Sequence, residues 1–297
     1  LEMLKYDVMT ALFEEKYAQL QEQGDTEFAR LLEVFCDGKR DENLKDVLDK
    51  IYRQITSFPA PERFLEEARM GLQIDTAEDL NHAPWMQAML DILHKKAAAA
   101  VQLAERCLAI CEEADGPEQY REQIESDIEK LQAIGQADSY AAMKGAIESK
   151  WATLSRKKFT GDKELQEACK TLRKEYKDEF DSKKLDSFKQ SEAQILEDMQ
   201  LLKTYLLPLL SLTEEFMTRF MEEKQKRKML EFSDISHMAY QLVCAGYDED
   251  GTAVPTEIGK TIANRYEEIY IDEYQDSNYL QEDILTAVSG KSRDVHN

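Results

Sequence analysis

Apolar residues recur every three to four positions along most of this chain, which is the spacing of amphipathic helices. In MLKYDVMTALFEEKYAQL, Leu4, Val8, Leu12 and Phe13 fall on one stripe of a first helix. Further helices follow in EFARLLEVFC and NLKDVLDKIYRQITSF. Pro59 and Pro61 punctuate, and PERFLEEARM restarts a short helix with proline in its first turn. A long helix is expected from Pro84 to about Ala114, stopped by Asp115-Gly116-Pro117. PEQYREQIESDIEKLQAI opens the next helix with proline and acids at its start, and Gly135 weakens or ends it.

A seam runs through SEAQILEDMQLLKTYLLPLLSLTEEFMTRFMEEKQKRK. Ile195, Met199, Leu202, Leu206, Leu209, Phe216 and Phe220 step by four and three, with Thr213 filling the gap. Pro208 inside it is expected to kink or split the helix. The seam fits a packed antiparallel arm or a self-associating coiled coil. The arm is favoured because no other segment is read as carrying the pattern.

After Lys228 the texture changes. In MLEFSDISHMAYQLVCAGY, Ser233 is the expected N-cap, and Phe232, Ile235, Met238, Leu242 and Val243 form a core-facing stripe. A loop, DEDGTAVP, leads to a short helix near Glu257–Tyr266. The apolar run Ile269-Tyr270-Ile271 then reads as a strand running into Asp272-Glu273, and another helix follows from about Asn278 to Val288. One strand cannot stand alone, so its sheet must be completed from elsewhere. The fold expected is mainly α: a helical domain over 1–228, then a partial α/β segment over 229–297.

Composition narrows the function. The 297 residues hold 60 acidic and 38 basic side chains, a net charge of −22. Non-specific nucleic-acid binding rests on neutralising phosphates with Lys and Arg, so a protein that simply coats DNA is excluded. Any DNA contact must be a local basic patch. The cysteines, Cys36, Cys107, Cys111, Cys169 and Cys244, include no CxxC pair, and buried or surface thiols are favoured over a metal site or disulfide. The histidines His82, His94, His237 and His296 show no metal spacing, and Trp85 and Trp151 read as core residues. No signal peptide or membrane-length apolar run is present, so a cytoplasmic location without membrane is expected. The chain begins with Leu1, which suggests a piece of a longer protein.

The chemistry sits in EEIYIDEYQDSN, Glu267–Asn278. A strand delivers a carboxylate rigidly at its C-terminal end, where open α/β sheets bind ligands. Asp272 is placed to hold Mg²⁺ on ATP phosphates, and Glu273 to act as a base toward the attacking water. The bland alternative is an acidic turn that caps the next helix. A complete ATP site also needs a cradle of the form G-x-x-x-x-G-K-[ST]. VPTEIGKT has Val254 where the first glycine belongs, and LTAVSGKS has Leu285 there. The phosphate-binding half is therefore expected upstream of Leu1.

IYIDEYQDSNYLQEDIL resembles motif II of the UvrD-like superfamily 1 DNA helicases, and KMLEFSDISHMAYQLV is similar to the DFSDL helix that precedes it there. MLKYDVMTALFEEKYAQ and SFPAPERFLEEA resemble segments of the helicase–nuclease (AddA/RexA) branch of that family. The resemblance implies a helical 1B-type insertion followed by part of a RecA-like motor domain. It implies ATP-driven translocation and unwinding of broken DNA ends for recombinational repair, with nuclease activity in a separate domain. It also implies a heterodimer with an AddB/RexB-type partner in a bacterial cytoplasm. By carry-over Asp272 takes the metal, Glu273 activates water, and Gln275 and Asp276 link the site to neighbouring motifs. Without a phosphate loop, this stretch on its own is expected not to hydrolyse ATP, unwind or cut.

In such helicases the insertion can lie against duplex DNA. Two basic runs could do this: Arg156, Lys157 and Lys158, or Lys224, Lys226, Arg227 and Lys228. The second is favoured, against the alternative of cations that merely face the negative end of a helix dipole. Four phosphate contacts would give a salt slope of about −3.6. Two readings compete with the motor: a non-catalytic acidic helical interaction module, and a self-contained NTPase with an unrecognised cradle.

Overall fold

The structure, a computed structural model, describes residues 1–24, 26–36, 40–248 and 251–289. Two compact units divide the chain: Leu1–Leu72 with Leu202–Asn297, and Gln73–Leu201. The boundary expected at residue 228 is not where these units divide. One helix, α10 (Glu192–Arg227), contributes its N-terminal part to the second unit and the rest to the first.

The unit over Gln73–Leu201 is helical. It contains α5 (Ala77–His82), α6 (Pro84–Glu112), α7 (Arg121–Gly135), α8 (Tyr140–Glu148) and α9 (Lys163–Glu179). α6 buries Met86, Leu90, Leu93, Ala97, Ala100, Ala104, Cys107 and Cys111. Those positions step by four and three, so α6 carries the heptad pattern that was expected in α10 alone. Three alanines in mid-stripe leave room for α7 and α9 to approach closely. The expected stop holds at Asp115-Gly116. A Cβ on Gly116 would lie 2.2 Å from the Ile110 carbonyl oxygen, so only glycine fits there.

Beside this core lies a buried ionic cluster. Arg173 donates to both Asp127 oxygens, at 2.6 and 3.1 Å, and to the Ala152 carbonyl; Tyr176 donates to Asp127 at 2.8 Å. The partners satisfy both charges, as burial requires. Cys107 and Cys169 are joined as a disulfide, with the Cys111 sulfur 3.8 Å from that of Cys169. The thiol reading is therefore corrected for this pair. The partners stand 62 residues apart on α6 and α9, a relation that spacing cannot reveal. Trp151 packs on this core, whereas Trp85 is 46% exposed at the start of α6 and is not the core residue expected.

The other unit begins with α1 (Glu2–Gln23), α2 (Thr26–Phe35), α3 (Glu42–Ile55) and α4 (Pro61–Gly71). The expected stripe of Leu4, Val8, Leu12 and Phe13 is buried against Phe28, Leu44, Leu48 and Tyr52. Leu209, Leu212, Phe216 and Phe220 of α10 complete this core, with Tyr52 edge-on to Phe216 at 5.5 Å. Pro208 is buried inside an uninterrupted helical span and does not split it. Along the predicted seam Ile195, Met199 and Leu206 are packed, but Leu202 is 46% exposed.

The last part of this unit departs most from expectation. α11 (Phe232–Val243) is capped by Glu231, not Ser233; Glu231 and Asp234 form a reciprocal capping box. Of its predicted core stripe only Val243 is buried. Phe232 is 91% exposed, and Ile235, Met238 and Leu242 are about half exposed. The expected loop is part of a hairpin, with β1 (Cys244–Tyr247) antiparallel to β2 (Ala253–Pro255). α12 (Glu257–Ala263) and α13 (Tyr279–Val288) follow. Residues 269–271 form no strand, because none of the described residues lies beside them to complete a ladder. The structure is thus mainly α, and no helix among the described residues is long and apolar enough to cross a membrane.

Candidate functional site

The acidic turn between α12 and α13 is exposed and built from short-range contacts. Glu273 adopts the left-handed conformation, φ 50° and ψ 41°. For a residue with a Cβ this costs about 1–2 kcal/mol, and such strain clusters at functional sites. Its N–H donates to Asp272 Oδ1 at 3.0 Å. The Gln275 amide donates to the Glu273 carboxylate, fixing the group that the sequence assigns to water. A short 3-10 turn over Tyr274–Asp276 returns the chain, with Asp276 N–H donating to Glu273 O at 2.9 Å. Asn278 then caps α13: its side chain accepts from Gln281 N–H at 2.9 Å, and Gln281 returns the bond at 3.1 Å. The capping role weighed for the acids thus falls to Asn278.

Asp272, Glu273 and Asp276 share an open cleft of about 460 Å³ with Ser277 and Gln281. No group of three or more His, Cys, Asp or Glu among the described residues is arranged to hold a metal. Mg²⁺ nonetheless fits the donors present, since it takes one or two carboxylates and completes its octahedron with water and phosphate oxygens. Of the look-alike cradles, Val254–Thr261 runs from β2 into α12, and Thr256 caps that helix by accepting from Gly259 N–H at 3.1 Å. In LTAVSGKS, Gly290, Lys291 and Ser292 lie outside the described residues, as does His296.

The second basic run separates into two kinds of cation. Lys224 is 1% exposed; its ammonium donates to both Asp234 oxygens at 2.7 Å and to Glu231 at 3.1 Å, and lies 4.7 Å from the Phe220 ring centroid. Tyr52 donates to the same Glu231, and burial, then that carboxylate, push its phenol far above the ordinary range. Lys224 is therefore a structural cation, removed from the proposed phosphate contacts. Lys226, Arg227 and Lys228 are exposed in or just past the last turn of α10, and the first two pair with Glu223. Arg156, Lys157 and Lys158 are exposed on the loop between α8 and α9 rather than at a helix end.

Two features escaped sequence reading. A cavity of about 620 Å³ lies beside the Lys224 cluster, lined by Met217, Met221, Met229 and Met238, away from the acidic turn. The turn after α3 also reaches α13: Ser57 O accepts from Leu280 N–H at 3.2 Å. The proline punctuation marked that turn, but nothing in it named its partner more than 200 residues on.

Residues 87–296 match the UvrD/REP helicase N-terminal domain. The chain is 34% identical, over 99% of its length, to the A subunit of the ATP-dependent helicase/nuclease of Lachnoclostridium phytofermentans, covering 22% of that protein. The proteins of the same name from Clostridium beijerinckii and Clostridium perfringens strain 13 are 26% and 28% identical over 99% and 100% of the chain, which covers 24% and 23% of them. The chain thus spans less than a quarter of the length of these curated relatives. With the family matched over well more than half of the chain, it belongs to the UvrD/REP helicases.

Proposed function

We propose that this chain is the helical insertion and part of the motor domain of one subunit of an ATP-dependent DNA helicase/nuclease, and that Asp272–Asp276 supply the metal-and-water half of its ATP site. The observation that carries this is the acidic turn itself. A strained Glu273, held by Gln275, stands beside Asp272 in one cleft, between an apolar run and a capped helix. In this reading Asp272 holds Mg²⁺. The ion, when bound, neutralises charge on the ATP phosphates. Glu273 orients the attacking water and accepts its proton, and the Gln275 amide restricts where that carboxylate points. Ile269–Ile271 becomes a strand only beside a neighbouring strand of the motor, and the exposed stripe of α11 is covered in the same assembly.

The name the relatives share, that of one lettered subunit of a helicase/nuclease, supports a DNA substrate and a partner subunit; that the partner is of the AddB/RexB type is our proposal from the resemblance. The processing of broken DNA ends in the bacterial cytoplasm is part of the same proposal and rests on the resemblance of the motif II region. In the full helicase polypeptide, Glu273→Gln is expected to abolish DNA-stimulated ATP turnover while leaving nucleotide affinity within about threefold. Turnover at the original rate would sink the assignment. This 297-residue chain by itself is expected to show no turnover at all.

With Lys224 withdrawn, Lys226, Arg227 and Lys228 are the cations left for duplex phosphate. Three contacts give a salt slope of about −2.7. Replacing these three with Ala should flatten the slope of duplex binding by about that amount. A slope that does not move would remove the run from the DNA path.

A further inference from the structure

The acidic turn leans on the helix that follows it, through Tyr274, whose hydroxyl donates to Glu282 of α13. Its side chains are exposed, and its hydrogen bonds run mainly between near neighbours in sequence. What fixes its position is α13, which begins shortly after Asp276. The N-terminal N–H groups of a helix have no partner within the helix. At α13 Asn278 satisfies the N–H of Gln281, and the carbonyl of Ser57 satisfies that of Leu280. The adjoining Phe58 ring stacks on Tyr279, the first residue of α13, with centroids 5.2 Å apart and planes 13° apart. Phe64 of α4 also stacks on Phe58, at 4.5 Å. His237 of α11 binds the Phe58 carbonyl at 3.0 Å, which ties the turn to a second helix.

We infer that the turn at Ser57-Phe58 is a clasp that positions the acidic turn, with Phe58 and Tyr279 as positioning residues for ATP hydrolysis. The inference rests on the proposed role of Asp272 and Glu273. Its physical basis is leverage. The two stacked pairs join three rings, and offset stacking adds attraction beyond simple burial. The cluster therefore resists rotation of the first turn of α13. That turn is joined to Glu273 by a few residues, so its displacement passes directly to the carboxylate. Misplacing a catalytic group by about 1 Å can cost up to about a hundredfold in rate. Neither Phe58 nor Tyr279 lines the cleft, so their effect must run through position.

The test has two readouts. In this chain, Tyr279→Leu and Phe58→Leu should speed amide hydrogen exchange at Leu280 at least about tenfold, while Tyr279→Phe keeps the original rate, since the ring is retained. In the full helicase polypeptide, the two leucine variants should lower kcat for ATP about tenfold, with KM for ATP and the melting midpoint unchanged, and Tyr279→Phe should restore kcat. If kcat, KM and the melting midpoint fall together, the contact is merely structural and the clasp is overturned. If Tyr279→Leu keeps kcat while Glu273→Gln abolishes it, the clasp is overturned and the proposed site stands. If turnover survives Glu273→Gln, both fall.

Discussion

The helices of Gln73–Leu201 and the segment from Phe232 to Val288 carry apolar stripes of similar quality, yet the stripes end up differently. On α6 every fourth and third residue is buried from Met86 to Cys111. On α11 Phe232, Ile235, Met238 and Leu242 remain exposed, and so does the run Ile269–Ile271. The difference lies in where the covering residues are. α6 finds its partners in α7 and α9, which follow it in the same unit. The expected strand needs a neighbour already extended beside it, and none of the described residues provides one. A helix satisfies its own backbone, whereas a lone strand does not.

The largest test of this contrast opposes a buried pair to an exposed ring. Arg173→Met would leave Asp127 charged and buried, with Tyr176 as its remaining side-chain donor. Breaking such a pair costs about 3–5 kcal/mol. Both tryptophans, Trp85 and Trp151, lie in this unit, so tryptophan fluorescence during urea unfolding follows it alone. Phe232→Ser, at a side chain 91% exposed, should change unfolding monitored by circular dichroism by no more than about 0.5 kcal/mol. A comparable loss in both variants would break the comparison.

A second test stays within the basic run. Lys224→Met leaves Asp234 and Glu231 without their cation. The expected loss is about 3 kcal/mol at neutral pH, recovered in part when Asp234→Asn is added. Lys226→Ala removes an exposed cation paired with a neighbour on its own helix, and should leave the unfolding midpoint essentially unchanged. Equal effects would mean that Lys224 is as solvated as the cations beside it.

These residues also show what the sequence could and could not reveal. The stripe Leu4, Val8, Leu12, Phe13 was legible because helical burial repeats locally. The acidic turn stood out in the sequence because its residue types are so specific, and Asp272, Glu273 and Asp276 line one cleft; the chemistry assigned to it is proposed. The burial of Lys224 was not legible. It stands among four cations that look alike, and only the fold brings Asp234, Glu231 and Tyr52 around one of them. Ser233 looked the better cap by residue type, but Glu231 holds that place because Asp234 closes the box from the other side. The Cys107–Cys169 bond and the contact of Ser57 with Leu280 depend on long-range packing, which periodicity does not encode.

The smallest effect expected is a pH dependence, and it belongs to the well-covered unit. Lys130 is buried, with its amine donating to the Ile147 carbonyl at 2.8 Å and lying 4.5 Å from the Trp151 ring centroid. Burial, reinforced by the nearby Lys177 charge and opposed by Asp127, brings its pKa from 10.5 down to about 8. Between those values the unfolded chain holds a proton that the folded chain has released, so stability rises with pH. Below about 8 both states are protonated and the full penalty of burying the charge applies. Lys177, lowered by its own burial, acts in the same direction. Tyr176, raised chiefly by burial, acts in the opposite direction: above about pH 10 the unfolded phenol gives up a proton that the folded one keeps, so stability falls there as pH rises and this opposes the lysines. The sign for Tyr176 is that of a raised pKa: its contribution is lost as pH climbs past the unfolded value. The unit's melting midpoint, followed by tryptophan fluorescence, should therefore climb from about pH 7.5 to about 9.5, and Lys130→Met should remove most of that climb. A midpoint that is flat in the parent chain would show that the amine remains hydrated, and that even this unit is less tightly covered than α6 suggests.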